Sequence, residues 1–285
     1  MEDIQFDLSF GDKWILSRYN STIEKINKYL DDYKVTEYSK LLYDFIWRDF
    51  CDWYIEILKV QLNQASDINY KKKLIRFATE LYENIMKILH PIMPFITEDI
   101  YHLIAERPEN ISISTASFPI ADTSKIDATI ETQFELIQNI VEEVRKLKAS
   151  INMPSQKLPA TISVPDETTY NIFNNVKSII TSFSKFSDLT IGINIPKPDG
   201  ATSVVYRGIE IHLIIAGHID IDKEKQRLEK EIARLEGNIR GCNSKLNNEK
   251  FMSGASPEII AKEKEKLNSM QESLKKVKDN LAELK

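Results

Sequence analysis

Apolar residues recur at helical spacing through most of the chain. Between Asp12 and Leu30, the residues Ile15, Tyr19, Ile23, Ile26 and Leu30 are spaced by four, four, three and four, which is one face of an amphipathic helix. A second helix is predicted from about Thr36 to Leu62, with the more apolar run Leu41, Leu42, Phe45, Ile46 and Phe50. A third runs from Ile68 to Leu89 with Ile75, Ala78, Leu81, Ile85 and Ile88 on its inner side. It stops at His90-Pro91, because proline disfavours a helical conformation in the residue before it. Pro94 suits the first turn of a shorter helix through Ile104, where a missing N–H costs nothing. Short connections between these helices predict an antiparallel, up-and-down bundle over residues 1–125.

The pattern changes over residues 126–218. Ile130, Phe134, Ile137, Val141 and Val144 keep helical spacing to about residue 150, and the helix ends in Arg145, Lys146 and Lys148. Those cations suit the negative end of a helix dipole, and phosphate contact is the alternative reading. Strands are predicted at Ala160–Val164, Leu189–Ile195, Val204–Tyr206 and Ile209–Ile215, with a helix over Tyr170–Ile180. Arg207-Gly208 reads as a two-residue hairpin turn. This is a small α/β subdomain. In the last stretch, 219–285, Leu228, Ile232, Leu235, Ile239, Cys242 and Leu246 alternate spacings of four and three. Leu267, Met270, Leu274, Val277, Leu281 and Leu284 do so again, as in the seam of a coiled coil. A turn over Asn247–Pro257, with Ser256 as N-cap and Pro257 as first helical residue, lets two nearly equal helices fold back on each other as an antiparallel coiled-coil arm.

Composition sharpens this picture in three places. Eight glycines and ten prolines in 285 residues agree with a mostly α chain. Two cysteines, Cys51 and Cys242, are too few for a disulfide framework or a four-ligand zinc site, which points to a reducing, cytoplasmic compartment. The net charge of −5 hides a gradient: only residues 219–285 are net positive, with 15 basic against 13 acidic side chains. No apolar run approaches a membrane span, and acidic residues stand near Met1 where a signal peptide needs basic ones. The chemistry of catalysis is missing too. The histidines His90, His102, His212 and His218 fall in no metal spacing, and no phosphate loop, nucleophile elbow or zinc-protease helix is present. The chain reads as a binding or positioning module. Its aromatic run Tyr43–Tyr54 has two readings, a packed core or, at Trp47, Arg48 or Trp53, a surface that stacks on bases.

Four stretches resemble the C-terminal part of the valyl-tRNA synthetase family, a group of class I aminoacyl-tRNA synthetases. They are Asp12-Lys-Trp-Ile-Leu-Ser-Arg-Tyr-Asn20, the helix ending Phe50-Cys-Asp-Trp-Tyr-Ile-Glu56, Leu89-His-Pro-Ile-Met-Pro-Phe-Ile-Thr-Glu98, and the arm with Leu246–Phe251, Ala255-Ser-Pro257 and Lys262–Leu267. The first three are specific to a subgroup, the Leu89–Glu98 motif being shared by the valine, isoleucine and leucine enzymes, and the arm favours valine over isoleucine. The resemblance implies an anticodon-binding bundle and an arm that braces the outer corner of the tRNA. The implied partners are valine tRNA, at its anticodon stem-loop and outer corner, and the remainder of the parent synthetase, in a soluble monomer. ATP with magnesium would serve the parent's catalytic domain, whose signature motifs are absent here, so the fragment is expected to bind no cofactor and to be no enzyme by itself. The family's bundle begins one helix earlier, so some of its stacking residues have no counterpart in this sequence. By position, the resemblance points to Arg240 and Lys266 on the arm, and to Trp47, Arg48 and Ile55 on the aromatic helix, as tRNA contacts. Gly241 stands where the family carries a facing basic residue. The competing readings are the same region of an isoleucine or leucine enzyme, or a structural coiled coil that pairs with another chain.

Overall fold

The computed structural model describes residues 7–108, 110–217, 221–248 and 257–283. The chain is mostly α with a four-stranded sheet, and it gathers into two compact units: residues 1–140 with 172–183, and residues 141–171 with 184–285.

In the first unit, helix α1 (Phe10–Asp31) starts at a capping box. Ser9 Oγ accepts the Asp12 N–H at 3.2 Å, and Asp12 Oδ2 accepts the Ser9 N–H at 3.0 Å. Trp14, Ile15, Tyr19, Ile23 and Ile26 are buried, whereas Leu30, at the far end of the same stripe, is partly open to solvent. Helix α4 (Ile68–Leu89), capped by Asp67, and helix α5 (Pro94–Ile104) have the expected limits. Ile75 departs from expectation: Leu74 takes the core position and Ile75 is half exposed.

The larger departure lies between α1 and α4. The helix expected over Thr36–Leu62 is continuous but not uniformly α. Helix α2 (Val35–Asp44) runs into a π-wound segment (Phe45–Tyr54) and then into α3 (Ile55–Gln64). At the end of that segment the Ile55 N–H donates to Phe50 O, five residues back. Phe45, Phe50 and Tyr54 are all buried, so the inward residues step by five and then four. That is wider than the three-and-four step of an α-helix.

Helix α6 (Ala128–Ser150) contributes Phe134 and Ile137 to the first unit's core and Val144 to the second's. The helix expected over Tyr170–Ile180 is two, α7 (Glu167–Asn175) and α8 (Lys177–Phe183), interrupted at Val176. The sheet has the order β2-β1-β4-β3, from β1 (Leu158–Val164), β2 (Phe186–Ile193), β3 (Ala201–Tyr206) and β4 (Ile209–Ile214). Strands β1 and β2 are parallel, and β4 is antiparallel to both β1 and β3. Arg207 and Gly208 form the β3–β4 turn with φ of 48° and 79°, the left-handed pair that a tight hairpin requires.

His212 lies buried in central strand β4, with Nδ1 2.8 Å from Ser203 Oγ. Burial lowers its pKa, the Glu210 carboxylate opposes this and Lys197 adds to it. The folded ring therefore resists protonation where the unfolded ring accepts it, near pH 6.5. Stability is expected to fall as pH drops below about 6.5. Urea midpoints at pH 7.5 and 5.5 check this, and the gap between them should narrow in His212→Gln.

The arm is formed by α9 (Ile221–Leu246) and α10 (Pro257–Glu283). Lys278 Nζ meets Glu236 Oε1 at 2.8 Å, and Cys242 Sγ lies 3.2 Å from Glu263 Oε1, so the two helices run antiparallel. Leu228, Leu235 and Cys242 are buried in the seam. Ile232, Ile239, Leu246, Leu267, Met270, Leu274, Val277 and Leu281 are half-buried along it. Cys242 packs in the seam as a small side chain whose thiol donates weakly to Glu263. At 1.5 Å per residue each helix is about 40 Å long. The expected N-cap Ser256, most of the turn before Pro257, and Leu284 lie outside the described residues.

Candidate nucleic-acid interface

Helix α1 is the hub that places the aromatic segment. Arg18 Nε donates to Asp49 Oδ2 at 2.9 Å, and Arg18 Nη1 donates to Glu131 Oε2 at 3.0 Å. Glu131 Oε1 also accepts from Ser17 Oγ (2.6 Å) and Ser21 Oγ (2.8 Å). Burial raises the Asp49 pKa, and Arg18 opposes that rise. Burial pushes Glu131 in the same direction, but hydrogen bonds from Ser17, Ser21 and Arg18 outweigh it and hold its carboxyl below the usual range. A second tie comes from Asp12, whose Oδ1 accepts from Tyr54 Oη at 3.0 Å and from Gln61 Nε2 at 3.2 Å. The π segment is thus pinned at Asp49 in its middle and at Tyr54 at its end. Replacing Arg18 by Met leaves two partly buried carboxylates facing each other and should cost about 2 kcal/mol of stability. Urea denaturation measures the loss.

With those pins in place, the aromatic run sorts itself. Phe45, Phe50 and Tyr54 belong to the core. Trp53, half-buried, packs at the core's margin, stacking on Phe183 (centroids 4.4 Å apart, planes 10° apart) and meeting Phe134 edge-on at 5.4 Å. Trp53 is therefore a packing residue. Trp47 points outward at 57% exposure and lies parallel to Tyr43, itself 62% exposed, with centroids 6.2 Å and planes 7° apart. Arg48 is also exposed, 3.5 Å from Asp44. Ile55 is half-buried in an apolar groove of about 540 Å³ that it lines with Phe50, Leu58, Ile75, Tyr82 and Ile104. Trp47, Arg48 and Ile55 are thus carried by one helical segment, two of them on open surface and one in a groove wall. Sequence reasoning missed Tyr43. Its signal was available in the four-residue step from Tyr43 to Trp47, on positions between the inward Leu42, Phe45 and Phe50.

On the arm, Arg240 and Lys266 are both exposed. The register set by Cys242–Glu263 and Glu236–Lys278 brings them to one level, six residues from Leu246 and nine from Pro257. Several neighbouring cations are already engaged: Arg234 with Glu231, Lys245 with Glu263 and Lys278 with Glu236. Among the described residues Arg240 and Lys266 form no direct ion pair; Arg240 acts on Glu236 and Lys266 on Glu263 only through space, and both cations stay exposed to an incoming anion. Gly241 lies beside Arg240 with no neighbour that a Cβ would meet.

Lys148 was open to a phosphate reading and is excluded from it. It is 1% exposed, and its Nζ donates to Gln156 O (2.6 Å), Ser184 O (2.9 Å) and Lys185 O (2.9 Å).

Residues 12–164 match the family described as the anticodon-binding domain of tRNA ligase. The chain belongs to that family. Residues 220–285 match the valyl tRNA synthetase tRNA binding arm, so this anticodon-binding domain is joined to a tRNA-binding arm in one chain. Among its curated relatives is the valine–tRNA ligase of Staphylococcus saprophyticus, 36% identical over 285 residues, covering 99% of this chain and 32% of the relative. The valine–tRNA ligases of Chlorobaculum tepidum (33% over 275 residues; 96% and 30%) and Geobacillus kaustophilus (34% over 284 residues; 99% and 32%) are similar too. The chain spans about a third of the length of these relatives. The arm match and the valine relatives support the valine reading over the isoleucine and leucine ones. The two apolar seams of the arm pair with each other within one chain, which removes the reason to seek a second chain for them.

Proposed function

We propose that this chain is the tRNA-grasping part of a valine–tRNA ligase and does not aminoacylate by itself. In this reading the bundle offers the Tyr43–Trp47 pair as a stacking platform for unstacked anticodon bases, with Arg48 on the adjoining phosphate and Ile55 against a base edge or ribose. Arg240 and Lys266 hold the sugar–phosphate backbone where the tRNA bends. Such recognition needs no large net positive charge, because folded RNA is read by shape, by splayed bases and by a few phosphates. The observation that carries the reading is the match of both ends of one chain to tRNA-binding families, with exposed aromatic rings at one end and exposed cations at the other. ATP, magnesium and valine belong to the two-thirds of the relatives that this chain does not span. The chain acts as a monomer in the cytoplasm, and no described helix is long and apolar enough to cross a membrane.

Titration of the chain with valine, isoleucine and leucine tRNAs tests this. Micromolar or weaker binding, tightest for valine tRNA and falling steeply with salt, is the expected result. Absence of binding at low salt overturns it. Trp47→Ala removes one stacking surface, worth about 1–3 kcal/mol per base, and should weaken binding about tenfold. The same titration measures it, and because Trp47 lies on open surface the variant should unfold at an unchanged urea concentration.

A further inference from the structure

The stretch Leu89–Glu98 divides its residues by chemistry. The polar ones build the turn into α5. Thr97 Oγ1 lies 2.8 Å from Met93 O and 2.7 Å from His90 Nδ1. Glu98 accepts from Ser112 Oγ at 2.8 Å, Ile113 N–H at 3.1 Å and His102 Nε2 at 3.1 Å. Most of the apolar ones face outward, with Phe95 87% exposed, Met93 48%, Ile96 46% and Ile92 39%, and Leu103, two turns after Phe95, joins them at 84%. Helix α5 buries only Thr97 and Tyr101. Its amphipathicity is therefore reversed, with a rigidly held turn presenting a cluster of large apolar side chains to solvent. Contiguous apolar surface of this kind marks an interaction site.

We propose that this stripe at the start of α5 is the surface on which the rest of the synthetase polypeptide docks, an inference that rests on the proposed function. Three observations select that occupant. Residues 89–104 contain no lysine or arginine, and the flanking Lys87 and Arg107 are both held by Glu83, so the stripe offers nothing to a phosphate backbone. Asp99 lies exposed in the stripe between Phe95 and Leu103. A second copy docking on the same face about a two-fold axis would bring two such carboxylates together. The relatives are about three times as long as this chain, so some two-thirds of each polypeptide accompanies this domain. The face that docks is apolar and carries a cation opposite Asp99.

Phe95→Cys in a Cys51→Ser background tests this, because Cys51 is exposed and would otherwise react as well. Maleimide labelling at position 95 is followed by peptide mass spectrometry in this chain and in the complete synthetase polypeptide that carries it. The expected result is fast labelling in the chain alone and labelling at least tenfold slower in the complete polypeptide, unchanged by saturating tRNA. Equal rates overturn the proposal. So does slowing that appears only when tRNA is added, which assigns the stripe to RNA. Slowing in the chain alone as its concentration rises assigns the stripe to a second copy and likewise overturns it. Valine tRNA binding with position 95 unprotected overturns the docking surface alone, whereas absent tRNA binding overturns the parent reading.

Discussion

Reversing Arg240 and Lys266 to glutamate together is expected to weaken binding of valine tRNA about a hundredfold at low salt. Each side chain is exposed, off the seam and in no direct ion pair among the described residues, with only a through-space attraction to Glu236 or Glu263, so the arm should stay folded. Hydrogen bonds to charged groups contribute about 1.5–3 kcal/mol each, and two such contacts account for a factor of about one hundred. The dependence of affinity on salt should flatten as well, because two fewer phosphates are neutralised and fewer counterions are released. Arg234→Glu is the control. Its guanidinium is already engaged by Glu231 at 2.6 Å on the same helix, so its reversal should change affinity less than threefold. A salt titration of all three proteins decides the matter. Equal losses in control and double variant would mean that the arm contributes only diffuse charge.

The largest expected loss of stability is at Lys148. Burial, with the nearby Lys185 cation adding to it, pushes its pKa down to about 8, which leaves it charged at pH 7 with three N–H groups for three carbonyls. Those carbonyls come from Gln156, before β1, and from Ser184 and Lys185, at the entry to β2. Lys185 sits at a φ of 51°, a left-handed conformation that a non-glycine residue adopts only when its surroundings enforce it. Lys148→Met keeps most of the side-chain volume and removes every donor. It leaves three carbonyls without their partner and should cost about 3 kcal/mol. A urea unfolding curve measures this. A loss below 1 kcal/mol would mean that water replaces the ammonium.

Local pattern was enough for the helices whose limits are written in caps and prolines. Asp67 before α4, Pro91 after it and Pro94 opening α5 act on their own backbones, so no distant residue is needed to place them. The arm was legible for the same reason, since each seam needs only a copy of its own spacing as partner. Turn chemistry did the same for Arg207-Gly208, where two successive left-handed residues close the hairpin.

The interface residues were legible as a helix but not as a surface. Periodicity reports which residues lie on one side, not what lies opposite them. Trp47 and Trp53 differ because Phe183 and Phe134 arrive from elsewhere in the chain to cover Trp53, and among the described residues only Tyr43, from the same helix, stacks beside Trp47. Lys148 and its neighbour Lys146 are both cations near the same helix end. One is caged by carbonyls 8 to 37 residues away and the other is exposed and paired with Glu142 and Glu143. The π-wound segment is also tied from another helix, with Arg18 and Asp12 holding Asp49 and Tyr54. The sequence by itself determined the capped helices, the hairpin and the arm, because each is encoded by residues close together or by spacing alone, and its motifs carried the resemblance to the family. Only the tertiary structure decided which rings and cations face solvent, because exposure is a property of what distant segments leave uncovered.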